Sequence, residues 1–276
     1  MAAAYKKEDL EFLISTMNKS SLDFLMPMFP FLHFSNFSLL IINQTQPDNL
    51  LISEYNNVRV INAFEKGLSK SRNLAIANAK GKIGVITDDD IIFQKDPLPI
   101  ILNAYNQHPG AAVIAFCAVD NNAVLFKKYP KKTKIKLNDF DIHNIMSIEM
   151  TLNTAIIKDK RVQFDHRFGL GSPFILGEEA VFLHDLKSKQ QQIVFIPEVI
   201  VSHPLYTTNE RVDYKKKYFA VGAVYQKLHP YRYIIWVLIK LFFDIKQNRI
   251  KLSQIVTAFS SATKGRSQLK KLSNEY

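Results

Sequence analysis

Asp88-Asp89-Asp90 is the place in this chain where side-chain type and spacing point most directly to chemistry. The three carboxylates end the apolar run Ile83-Gly84-Val85-Ile86-Thr87, which reads as a buried strand. Adjacent like charges there are costly unless a cation offsets them. Mg²⁺ is often held by one or two carboxylates plus substrate phosphates. A carboxylate cluster at the carboxyl end of a strand is therefore a metal–nucleotide candidate, and the alternative is an exposed acidic turn.

The surrounding pattern must position that cluster. Residues 12–18, 37–43 and 58–61 read as strands, and 68–79 reads as a helix with Ser69 as its N-cap and Gly81 as its stop. Beyond the Asp cluster, 98–105 reads as helix and 111–118 as strand. The basic stretch 127–136 reads as a loop, 147–157 as another strand, and the glycine-rich 161–177 as a loop. A helix over 178–189 and two short strands, 193–196 and 199–201, flanking Pro197 lead to His203. Strands alternating with helices predict an α/β architecture with a mostly parallel sheet and ligand chemistry at the strands' carboxyl ends.

Composition narrows the function. The 276 residues are enough for one large α/β domain with an appendage, and the single Cys117, inside an apolar run, excludes an intrachain disulfide framework. The charged start, Lys6 to Asp9, does not read as a signal peptide, and a reducing cytoplasm fits. From Glu210 onward, 14 Lys and Arg face 4 Asp and Glu, a net of +10, while the preceding body carries +1. A neutral body argues against nucleic acid as its partner, and a basic tail suits an anionic surface. Within the tail, residues 231–243 are strongly apolar but shorter than the roughly 20 residues that span a bilayer. With Trp236, Phe242 and Phe243, that stretch reads either as a helix lying in a membrane interface or as one packed on the main domain.

Three elements occur in order: Gly67-Leu68-Ser69-Lys70-Ser71-Arg72-Asn73-Leu74-Ala75, the strand ending in Asp88-Asp89-Asp90, and Gly177-Glu178-Glu179-Ala180-Val181-Phe182 followed by His203. This set resembles the family 2 glycosyltransferases with the GT-A fold, over about residues 10–205. The resemblance implies a Rossmann-like catalytic domain over 1–209, followed by a basic helical C-terminal extension over 210–276. It also implies transfer of a sugar, with inversion, from a nucleotide donor of the UDP type.

The resemblance implies roles as well. Ser15, Thr16, Asn18 and Asn43 would border the nucleotide, Arg72 would pair with the diphosphate or the base, and Asp88 would reach the ribose. Asp89 or Asp90, with His203, would hold Mn²⁺ or Mg²⁺ between the donor phosphates, and imidazole suits Mn²⁺ better. Glu179, or Glu178 before it, would accept the proton of the attacking hydroxyl. The acceptor would be a glycan or a lipid-linked sugar in surface polysaccharide synthesis, reached at the inner face of the cell membrane. Two rivals fit less well. A sugar-phosphate nucleotidyltransferase would need a glycine-rich phosphate loop after the first strand, where none stands. A non-enzymatic basic protein, binding nucleic acid or membrane, suits the tail but not the body.

Overall fold

Apolar runs uninterrupted by charge become strands covered on both faces, as parallel sheets with crossover helices require. The computed structural model describes residues 4–204 and 213–274. Its strands are β1 (Leu10–Met17), β2 (Leu39–Gln44), β3 (Val58–Ala63), β4 (Ile83–Asp88), β5 (Ile92–Phe93), β6 (Ala111–Val119), β7 (Met150–Asn153) and β8 (Gln192–Ser202). They form one sheet in the order β3-β2-β1-β4-β7-β6-β8-β5. β3, β2, β1 and β4 run parallel, as do β6 and β8. Short β7 bridges the two groups antiparallel to both neighbours, and β5 closes the edge antiparallel to β8. The sheet is mostly parallel, as the sequence predicts.

Side chains alternate between the two faces with the period of a strand. Phe12 and Ile14 point into one layer with Phe29, Phe37 and Phe93, and Leu13 points into the other with Ile76, Ile86 and Phe182. The covering helices are α1 (Leu25–Met28), α2 (Leu68–Asn78), α3 (Leu98–Gln107), α4 (Asp139–His143), α5 (Thr154–Asp159) and α6 (Glu178–Ser188). The C-terminal helices are α7 (Tyr214–Leu228), α8 (Tyr233–Lys246) and α9 (Ile255–Asn274). The expected domain boundary between residues 209 and 210 lies outside the described residues.

The structure corrects three local expectations and meets one of the two readings of a fourth segment. α2 starts after Gly67 rather than Ser69, whose buried hydroxyl donates to the Phe168 carbonyl at 2.6 Å. Segment 147–157 is not one strand: β7 has four residues, and the Asn153 side chain accepts from the Ile156 amide to cap α5. The two short strands around Pro197 are one strand, β8. Its register against β6 jumps between the pairs Ala115/Phe195 and Cys117/Val199, and the resulting bulge accommodates a residue that cannot donate to the ladder. Finally, α8 packs through Tyr233, Val237 and Leu241 into an apolar cluster shared with Phe168, Phe174, Ala180 and Val181.

Candidate active site

The sheet order reverses at β1. The chain moves outward from β1 to β2 and β3, then returns to place β4 on β1's other side. Ligands of open α/β sheets bind in the crevice at such a switch point, beyond the strands' carboxyl ends. Parallel register there pairs Ser15 with Asp88 and Thr16 with Asn43. The sequence-predicted residues therefore gather at one end of the sheet, and each is held differently.

Arg72 is the centre of the arrangement. It projects from α2, is 1 % exposed, and has its guanidinium 5.6 Å from the centre of the Phe164 ring. Nη1 lies 3.0 Å from Glu178 Oε1 and 3.5 Å from Glu179 Oε1, and Nη2 lies 3.4 Å from Asp88 Oδ1. One cation thus joins the Asp cluster to the Glu pair at the start of α6. Burial disfavours its charge, but the three carboxylates outweigh burial and raise its pKa. Burial pushes the Asp88 carboxyl up against the opposing pull of Arg72. Burial, reinforced by Glu179, pushes Glu178 up to about 8.

The other candidates divide into structural and available groups. Asn43 is fully buried: its amide donates to Lys19 O and Asn62 Oδ1, and its oxygen accepts from the Lys19 amide. Ser15 is buried and accepts from the Ser71 hydroxyl at 2.8 Å. Asn18 takes a left-handed backbone, φ 54°, where the chain turns out of β1. Thr16 donates to Asp89 Oδ2 at 2.5 Å, and Lys19 Nζ lies 3.0 Å from the same oxygen. Lys19 escaped the sequence reading, and its only signal there was its place directly after Asn18 at the end of the first strand. Ser71 and Phe164 were missed too, because both act through residues far away in the chain.

Asp90 and His203 meet on the open side, with Asp90 Oδ1 3.2 Å from His203 Nε2 and the Asp90 side chain 59 % exposed. His203 Nδ1 lies 2.7 Å from the Pro204 carbonyl oxygen. A carbonyl only accepts, so Nδ1 carries a proton and Nε2 faces Asp90, as where a hydrogen bond at one ring nitrogen orients the other toward a metal. The hydrogen bond from His203, with its charge, holds the Asp90 carboxyl below its ordinary range. Burial works against a charged His203, but Asp90 outweighs it and raises the imidazole pKa. Asp90 and His203 fit a divalent cation that takes its remaining ligands from phosphates. Asp89 is engaged by Thr16 and Lys19 instead, and no cluster of three metal-ligating side chains gathers among the described residues.

Residues 33–168 match the family model described as Glycosyl transferase family 2. The chain carries a family 2 glycosyltransferase domain. The matched span includes Arg72 and the Asp cluster and stops before Glu178, Glu179 and His203. No curated protein sequence matches the chain. Among solved structures, the glycosyltransferase resembles residues 1–349 of TarS from S. aureus, with a TM-score of 0.58 at 14 % identity, covering 93 % of this chain and 80 % of that one. The same TarS fragment with UDP-GlcNAc gives 0.60 at 14 % identity, over 91 % and 79 % of the two chains. With UDP it gives 0.54 at 13 % identity, over 96 % and 91 %. At these identities the likeness establishes the GT-A type fold.

Proposed function

We propose that this glycosyltransferase is an inverting, metal-dependent enzyme that moves a sugar from a UDP-sugar to a hydroxyl of a glycan or lipid-linked acceptor in surface polysaccharide synthesis, working at the inner face of the cell membrane. The observation that carries the reading is the buried Arg72, which joins Asp88 at the nucleotide end of the sheet to Glu178 and Glu179 at the start of α6. The UDP-GlcNAc and UDP carried by the TarS structures support a uridine nucleotide as the donor's leaving group.

In this reading the nucleotide lies at the β1–β4 crevice, with Asp88 toward the ribose. Asp90 and His203 would hold Mn²⁺ or Mg²⁺, which supplies Lewis-acid neutralisation of the departing diphosphate. Glu179, 19 % exposed at its side chain, takes the proton of the acceptor hydroxyl. The acceptor oxygen bonds to the anomeric carbon while the bond from that carbon to the diphosphate oxygen breaks. A single displacement inverts the centre. Arg72 and the protonated Glu178 position Glu179 rather than exchange protons with substrate.

A screen of nucleotide-sugars for binding and slow hydrolysis, with Mn²⁺, Mg²⁺ or chelator present, tests the reading. UDP-sugar turnover that stops in chelator, and an Asp90→Ala variant that stays folded but needs more metal, are the expected results. Full turnover in chelator would remove the metal. Failure of every nucleotide-sugar to bind would remove the transferase reading.

A further inference from the structure

We infer that the outer face of α8, together with the first turns of α9, is a docking surface for an anionic lipid bilayer, on which α8 lies flat. This deepens the membrane part of the reading above and does not depend on sugar transfer. α8 is apolar on both sides, and only one side is used. Tyr233, Val237 and Leu241 fill the cluster beneath it. On the opposite side Ile234, Ile235, Leu238 and Phe242 are each more than half exposed, and Tyr231 at the helix entrance is fully exposed. Positions 235, 238 and 242 recur at helical spacing, so these side chains form one stripe, with Tyr231 in the turn before it. Leu252 and Val256, 71 % and 79 % exposed where α9 begins, add to the apolar surface.

The charges beside the stripe identify the occupant. Tyr218 donates to Asp244 at 2.9 Å, which brings the first turns of α7 beside the end of α8. Lys215 and Lys216 therefore share one end of the helical layer with Lys246, Arg249 and Lys251, all five exposed. Asp213, which caps α7, is an exposed acid there. Asp244 is the only acid between residues 231 and 274, and it is buried, bonded to Lys240 and Tyr218 with Arg249 Nη1 3.7 Å away, which leaves Lys215, Lys216, Lys246 and Lys251 as the cations it does not engage. Arg232 stands exposed at the other end of α8. Pairing two copies through the stripe would set cation against cation, whether the helices ran parallel or antiparallel. Anionic headgroups satisfy both ends, and the acyl boundary takes the stripe.

The helix lies on the surface and does not cross it. Fourteen residues of α8 rise about 21 Å, short of the roughly 30 Å hydrocarbon core. No helix among the described residues is long and apolar enough to span a membrane. Docking through α8 also fixes the catalytic site, because α7 packs on α6. A Cβ at Gly177, which precedes Glu178, would fall on the Val224 side chain of α7.

Vesicle flotation of the full chain tests the proposal, using phosphatidylglycerol–phosphatidylcholine vesicles and phosphatidylcholine alone, at low and high salt. The wild type is expected to float with the mixed vesicles, at least about ten-fold more weakly at high salt, where surface charges are screened. The Leu238→Glu, Phe242→Glu double variant and the Lys246→Glu, Lys251→Glu double variant should each lose most of that binding. Both should keep the wild-type melting temperature and UDP-sugar hydrolysis. Absence of wild-type flotation at low salt, or equal flotation by the Leu238→Glu, Phe242→Glu chain, overturns the proposal. So does equal affinity for phosphatidylcholine alone. A wild-type dimer without vesicle binding, dissociated by Leu238→Glu, reassigns the stripe to a second copy. If flotation behaves as expected but no chain hydrolyses a nucleotide-sugar, the transferase reading fails and the docking surface stands.

Discussion

At the scale of single residues, the site is governed by one guanidinium facing three carboxylates. Burial, reinforced by Glu179, outweighs the pull of Arg72 on Glu178, whose pKa of about 8 leaves it mostly protonated at neutral pH. Gln imitates a protonated Glu in shape and in the oxygen that accepts from Arg72. Glu178→Gln should therefore keep most of its kcat at neutral pH, whereas Glu179→Gln should lose roughly 10²–10⁴-fold, the usual scale of a general base. Linkage gives a second readout. With the folded pKa above the ordinary 4.5, the native state binds more protons than the unfolded one between about 4.5 and 8. Glu178's contribution to stability is complete below that window and is lost as pH rises through it. The Glu178→Gln chain should lack this slope, as thermal melts across the pH range would reveal. An active Glu179→Gln with an inactive Glu178→Gln reverses the roles. The carboxylates were legible in the sequence because charge stands out at the end of an apolar run. Their linkage was not, since Arg72 and Glu178 are 106 positions apart and only the fold brings them together.

At the scale of elements, period and punctuation located the long strands and helices but failed where tertiary contact overrides local signals. β8 runs through a proline because a bulge relieves it, and β7 is four residues held between helical turns. The sequence left α8 with two readings, because an apolar stretch of its length has two faces and composition does not separate them; the structure packs one face, and the other is the docking surface proposed above. The crossing of α7 and α9 was invisible in the sequence. A Cβ at Gly222 would fall on the Ala262 carbonyl, and a Cβ at Gly265 on the Phe219 carbonyl, so each helix presses its glycine against the other's backbone. Ala is the better helix former, so propensity alone would make Gly222→Ala stabilising. Here overpacking should win, destabilising the chain by about 1–3 kcal/mol. At roughly 2–4 °C per kcal/mol for a chain of this size, Tm should fall by several degrees. An unchanged or raised Tm for both Gly222→Ala and Gly265→Ala would mean that the two helices do not approach closely.

At the scale of the whole molecule, charge and packing divide the chain differently. Net charge separates a neutral body from a tail of +10 near residue 210. Apolar packing runs across that line, since Phe168, Phe174 and Val181 of the body share a cluster with Val224, Val237 and Leu269 of the C-terminal helices. Phe168, Phe174 and Val181 are 0 % exposed in the whole chain, and uncovering side chains of this kind costs about 1.5–3 kcal/mol each. Three of them approach the roughly 5–15 kcal/mol by which a domain is stable at all. A chain ending at residue 212 should therefore aggregate or melt without cooperativity. It should also lose UDP-sugar binding, because the start of α6 and its Glu pair would no longer be seated against Val224. Expression of the shortened chain with light scattering, a thermal melt and donor titration decides the matter. A soluble, cooperatively melting fragment that hydrolyses donor like the full chain would show the body to be self-sufficient, and the C-terminal helices would then serve docking alone.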